Sequence, residues 1–141
     1  MHSFFTGCGY VGCQVAFREL ADGGAVGALV RRASSAADLK ALGIDARNAD
    51  LDRLPPGSLP DLKGRVLYWF APPPTQDRVD TRLAAGLAAV RPGLEPDRIV
   101  LISTTGVYGD CGGEWVDESR PVNPKSDRGH RRVNAEETLQ K

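Results

Sequence analysis

Gly7, Gly9 and Gly12 stand at the spacing of a turn that can hold a pyrophosphate. In the run Thr6–Gly7–Cys8–Gly9–Tyr10–Val11–Gly12 each glycine has its own task. The first permits a tight turn, the second removes a side chain where backbone approaches the anion, and the third lets a helix pack close to a strand. The free amides and positive dipole end of the helix that follows would face the negative charge. The plain alternative is a glycine-rich turn with no ligand. Arg31 and Arg32 follow the second apolar segment, where binders of NAD place an acid for the ribose hydroxyls. Guanidinium groups suit a 2′-phosphate instead, so the pair favours NADP, with NAD as the lesser choice. Two solvated surface arginines are the alternative. Asp50 and Leu51 would lie near an adenine edge, or Asp50 is an ordinary loop residue.

Other chemistries find less support. Cys8, Cys13 and Cys111 are odd in number and match no zinc spacing, so no metal site is expected. Cys8, beside a helix amino end, is placed where a thiol pKa can fall; it reads as a small residue under the cofactor. Cys13 reads as core and Cys111 as exposed. Ser103 and Thr104 have no His-Asp pair nearby, and the G-x-S-x-G elbow of hydrolases is absent. Lys125, Arg128, Arg131 and Arg132 gather near the start of the last helical segment. They face either an acidic ligand or simply solvent. Histidine is a residue type suited to proton transfer, yet His130 reads more simply as an exposed helix histidine. Trp115, in a polar loop, either lines a substrate mouth or packs.

These residues need a scaffold, and the hydrophobic pattern supplies one. The spacing predicts strands at His2–Thr6, Ala25–Val30, Ile44–Ala49, Val66–Phe70 and Ile99–Ile102. Helices are predicted at Tyr10–Ala21, from a cap at Ser34 or Ser35 to about Leu42, at Gln76–Val90, and from about Gly129 to Gln140. Leu54–Lys63 contains Pro55, Pro56 and Pro60 and reads as a connector. Alternation of this kind predicts an α/β fold, a Rossmann-type doubly wound parallel sheet of about five strands with helices on both faces. A length of 141 residues suits one domain, 1–141. Lysine plus arginine number 18 and aspartate plus glutamate 18, a balance that argues against a nucleic-acid binder. No apolar run approaches the ~18 residues of a membrane span. The amino end has no signal-peptide pattern, so a reduced, cytoplasmic protein is expected.

The motifs together resemble the NAD(P)-dependent epimerase/dehydratase family, in an atypical form of the short-chain dehydrogenase/reductase superfamily. Four stretches carry the resemblance: Thr6–Gly12; Ala49–Asp50–Leu51; Ser103–Thr104–Thr105–Gly106–Val107–Tyr108–Gly109; and Pro121–Val122–Asn123–Pro124 leading to Gly129–His130–Arg131–Arg132 and Ala135–Glu136. The resemblance covers the chain but only about the first half of a typical member. It therefore implies an NAD(P)-binding domain incomplete at its carboxyl end, without the substrate lobe. The implied cofactor set is Thr6, Gly7, Cys8, Gly9, Tyr10, Val11, Gly12, Arg31, Arg32, Asp50, Leu51 and Ala71. The implied catalytic positions are Thr104 for the family's hydroxyl, Arg128 for its tyrosine and Arg132 for its lysine. Arginine cannot shuttle protons near neutrality, so Arg128 breaks the family's acid/base pattern. The family acts on carbonyl or hydroxyl substrates such as nucleotide sugars. The alternative is a catalytically silent dinucleotide-binding module, or a subunit whose open sheet edge meets a partner chain or a second copy.

Overall fold

The computed structural model describes residues 2–141. Among the described residues five strands and four helices follow in the order β1 (His2–Thr6), α1 (Tyr10–Ala21), β2 (Ala25–Val30), α2 (Ala33–Ala41), β3 (Asp45–Asn48), β4 (Arg65–Trp69), α3 (Thr81–Ala88), β5 (Arg98–Leu101) and α4 (Asp127–Leu139). Short 3-10 turns cover Leu51–Arg53 and Thr105–Tyr108. The chain divides into two compact units. The first comprises the residues up to Pro72 and Ala85–Leu101; the second comprises Pro73–Ala84 and Ile102–Lys141.

The first unit holds the whole sheet, ordered β3-β2-β1-β4-β5 and parallel throughout. From β1 the chain winds outward to β3, then restarts on the other side of β1. With right-handed crossovers, that reversal puts the connections on opposite faces, a doubly wound Rossmann-type sheet. The switch point lies between β1 and β4. Ligands of such sheets bind outside the carboxyl ends of the strands at that point.

Register explains the core. Phe5 stands opposite Ala28 on one side and Tyr68 on the other. Its ring stacks on Tyr68 with centroids 4.5 Å apart and meets Phe70 edge-on at 5.9 Å. Around it Val26, Ala28, Val30 and Ala46 of the strands pack with Ala16 of α1 and Ala36 and Leu39 of α2. The alanines on both helices let them lie close to the sheet. On the opposite pleat Phe4 covers Gly27, where a Cβ would sit 2.7 Å from the Phe4 ring. Trp69, read as core from its strand, is buried against Gly86, a helix position with no room for a side chain.

Several boundaries differ from the sequence reading. Helix α2 starts at Ala33, and Arg32 occupies its cap position without a capping side chain. Ser34 and Ser35 therefore lie inside the first turn, because β2 delivers the chain to the helix within two residues. Helix α3 begins only at Thr81. Asp77 upstream has φ 61°, which no helix running from Gln76 could contain. Asp80 caps α3 instead: its Oδ1 accepts from the Leu83 amide at 3.0 Å. Strand β3 is Asp45–Asn48, with Ile44 buried just ahead of it. In the second unit α4 starts at Asp127, where the Ser126 Oγ accepts from the Gly129 amide at 3.1 Å. No described helix is long and apolar enough to cross a membrane.

Candidate functional site

The turn from β1 into α1 uses its three glycines for different reasons. Gly7 has φ +82°, and its amide donates to the Leu29 carbonyl at 2.9 Å. A Cβ there would stand 2.7 Å from the Ala71 nitrogen at the end of β4. At Gly12 a Cβ would come within 3.1 Å of the Gly7 carbonyl oxygen and 3.5 Å of the Phe70 ring. Both positions are glycine because the protein itself fills the space. At Gly9 a Cβ would meet nothing within 4 Å. Gly9 is the cap residue of α1, offers no capping side chain, and is followed by a first turn without an acid. The first helical hydrogen bond runs from the Cys13 amide to the Gly9 carbonyl at 2.8 Å. The amides before it, Tyr10 to Gly12, have no acceptor within the helix. They make the positive end of α1 an anion-seeking surface. Tyr10 and Val11 lie exposed beside it.

Cys8 corrects an expectation. Its thiol is half-buried and is pushed up to about 12, first by burial, then by the charge of Cys13 and by their hydrogen bond. Loss of solvent outweighs the helix end here. The two sulfurs lie 3.8 Å apart, and Cys13 also faces the Cys8 carbonyl at 3.6 Å.

The remaining cofactor candidates sit at the carboxyl ends of β1 to β4. Arg31 and Arg32 are exposed just past β2, and neither forms an ion pair with a described residue. Asp50 is committed locally: its carboxylate accepts from the Asp52 amide at 3.1 Å and lies 3.8 Å from Arg53. Leu51, Ala71 and Thr6 are buried. The Thr6 hydroxyl donates to the Tyr68 carbonyl at 3.4 Å.

The candidate catalytic residues lie in the second unit. Thr104 caps the 3-10 turn, its Oγ1 accepting from the Gly106 amide at 3.3 Å. That leaves its own proton free to donate. Arg128 is exposed in the first turn of α4. Arg132 is buried and stands 3.9 Å from the carboxylate of Asp80, itself 2% exposed. Burial pushes the Arg132 pKa down; Asp80 opposes this, Arg128 adds to it, and Glu136 opposes it more weakly. Arg131 is buried as well and donates to the Asp77 carbonyl. The basic group is thus not one solvated face: Lys125 and Arg128 are exposed, whereas Arg131 and Arg132 belong to the interior. His130 and Cys111 are half-buried rather than exposed, and Trp115 is fully exposed rather than packed.

Two partners escaped the sequence reading, Asp80 and Asp77, and Glu136, quoted there only within the last family stretch, is a third. Ser103 donates its hydroxyl proton to Glu136. Asp80 was detectable as an acid just ahead of the first periodic turn of α3. Glu136 stands four residues beyond Arg132 on one helix, a spacing that brings side chains together.

Sheet order and glycine turn together define a Rossmann-type α/β fold. Solved structures agree. A functionally unknown conserved protein from Silicibacter pomeroyi matches at 29% identity with a TM-score of 0.75, over 99% of this chain and 48% of its own. A candidate NAD-dependent epimerase/dehydratase from Methylobacillus flagellatus matches at 27% identity and a TM-score of 0.75, over 98% of this chain and 50% of its own. The fold is also that of UDP-glucuronic acid 4-epimerase from Bacillus cereus, solved with NAD (18% identity, TM-score 0.71, 99% and 51% of the two chains). The chain spans about half the length of the structures it matches. No family model matches the sequence, and neither does any curated protein.

Proposed function

We propose that this chain binds NADP at the glycine turn and is the cofactor-holding part of an epimerase/dehydratase-type oxidoreductase acting on a carbonyl or hydroxyl substrate. Gly9 carries the reading: the space beyond it is open, so the protein's own packing gives no reason for a glycine there. A pyrophosphate approaching the α1 amides does give one. Exposed, unpaired Arg31 and Arg32 favour the 2′-phosphorylated dinucleotide. A bound dinucleotide would supply a nicotinamide that gives or takes a hydride. The chain's part is to hold the pyrophosphate on the α1 amides, meet the 2′-phosphate with the arginines, and offer the Thr104 proton to a substrate oxygen.

A second reading has its own support. The resemblance aligns Arg128 with the family's tyrosine and Arg132 with its lysine. Arginine is a residue type that does not shuttle protons, and Arg132 is engaged by Asp80. A dinucleotide-binding module without turnover fits those two facts.

Titration with NADPH and NADH, followed by tryptophan fluorescence, tests the site. NADPH is expected to bind tighter by about tenfold or more, a difference of ~1.4 kcal/mol. The Arg31→Ala and Arg32→Ala variants are expected to erase the difference. Equal binding of both cofactors would discard the NADP preference, and binding of neither would discard the site.

A further inference from the structure

We propose that Cys8 and Cys13 form a redox-active dithiol that closes to a disulfide and takes the glycine turn out of the shape that holds a dinucleotide. The loss of binding rests on the reading of the turn above; the disulfide itself does not. The two sulfurs already touch, 3.8 Å apart, with one in the turn and the other on the first helical turn. Both residues are only partly buried, so a small oxidant can reach them. Cys111 offers an internal contrast, since its thiol faces the carbonyl oxygens of Tyr108 and Gly109.

A disulfide bond is ~2.05 Å long, so from 3.8 Å the sulfurs must close by roughly 1.8 Å. The turn has little slack to share. Cys13 is tied through its amide to the Gly9 carbonyl, and Gly12 is wedged between the Gly7 carbonyl and Phe70. The movement therefore falls on Cys8, which lies between Gly7 and Gly9. Shifting it re-aims the Gly9 peptide and narrows the approach to the α1 amides.

The chemistry balances with a small disulfide such as oxidised glutathione as the oxidant. Cys8 holds its proton firmly, so Cys13 attacks first. One glutathione leaves as thiolate, and a mixed disulfide remains on Cys13. Capping Cys13 takes away its influence on Cys8 and leaves burial as the cause that holds the Cys8 proton. Cys8 then attacks the Cys13 sulfur and the second glutathione leaves. Both cysteine protons end on the two glutathiones, and the protein loses two protons and two electrons in all.

The test uses the full chain carrying Cys111→Ser, with and without Cys13→Ala, equilibrated with oxidised or reduced glutathione. Peptide mass mapping reads the bond, and NADPH titration reads the site. The expected result is a Cys8–Cys13 crosslink, absent in Cys13→Ala. It should weaken NADPH by about tenfold or more and be reversed by reduced glutathione. Glutathione left on Cys13 with no crosslink would overturn the dithiol. A crosslink with unchanged affinity would overturn its effect on binding. If the reduced chain binds no dinucleotide, the functional reading falls with the gating, while the mass map still decides the disulfide.

Discussion

At the scale of single residues, the three glycines of one motif should respond differently to substitution. Gly7 combines a positive φ with a wall of backbone 2.7 Å from any Cβ. Gly7→Ala is expected to cost about 2–4 kcal/mol in urea unfolding, from overpacking and left-handed strain together. Gly9 has extended backbone at φ −87° and open space around it, and it caps a helix. Serine is a good cap, so Gly9→Ser should change stability by less than about 0.5 kcal/mol. Its side chain would still stand where the pyrophosphate must approach, so NADPH binding should fall by about tenfold or more. A Gly9→Ser chain that binds normally would mean the ligand does not come past that residue. Asp80 allows a similar separation of roles. It caps α3 and faces Arg132 from a buried position. Asn keeps the capping oxygen but leaves the Arg132 charge alone. Breaking a buried pair costs about 3–5 kcal/mol, against about 1 kcal/mol for a cap. Asp80→Asn should therefore lose most of what Asp80→Ala loses; a mild Asn variant would assign Asp80 mainly to the cap.

At the scale of elements, β4 and α1 are joined by a hydrogen bond with a pH signature. The Tyr68 hydroxyl donates to Glu19 at 2.9 Å while its ring stacks on Phe5. Burial and then the Glu19 carboxylate raise the Tyr68 pKa above its usual 10. A folded pKa raised above the unfolded one stabilises at lower pH, and that contribution is lost as pH climbs through the folded value. Tyr68→Phe keeps the stack and loses the bond, which should cost about 1 kcal/mol near neutrality. The gap between wild type and variant in urea midpoint should shrink as pH rises above ~10. A gap that stays constant would show that the hydroxyl proton plays no part. The same elements show what the sequence made legible. Strands buried on both faces, such as Val66–Trp69, announce themselves as apolar runs, and Gly12 marks where a helix must come close; Gly86 against Trp69 emerged only with the fold. Helix starts were harder. Asp77 in the left-handed region and Asp80 as a cap are choices among ordinary polar residues, and only the fold distinguishes them. The glycine turn from β1 into α1 was legible because glycine spacing is a backbone property. The burial of Arg131 and Arg132 was not, since a basic run on a helix reads as solvated until its partners, 52 or more positions away in Asp80 and Asp77, are seen.

At the scale of the whole molecule, binding and turnover come apart. The doubly wound sheet positions the α1 amides and the arginines wholly within the first unit. In the second unit, the two positions that the resemblance aligns with the family's tyrosine and lysine both carry arginine. Arginine as a residue type is unsuited to giving up and regaining a proton in a cycle. Removing general acid/base help alone forfeits about 10²–10⁴ in rate. The chain mixed with NADPH and a panel of aldehydes and ketones is therefore expected to bind the cofactor and leave it unoxidised, at the rate of the protein-free control. Oxidation above that control would overturn the silent-module reading and require another proton donor. His130, half-buried two positions before Arg132 on α4, would be the first to replace. If His130→Ala then abolished oxidation while leaving NADPH affinity unchanged, the histidine would carry the proton. If only Thr104→Ala abolished it, the hydroxyl that caps the 3-10 turn would be the donor, and the arginines would serve to hold charge rather than to move it.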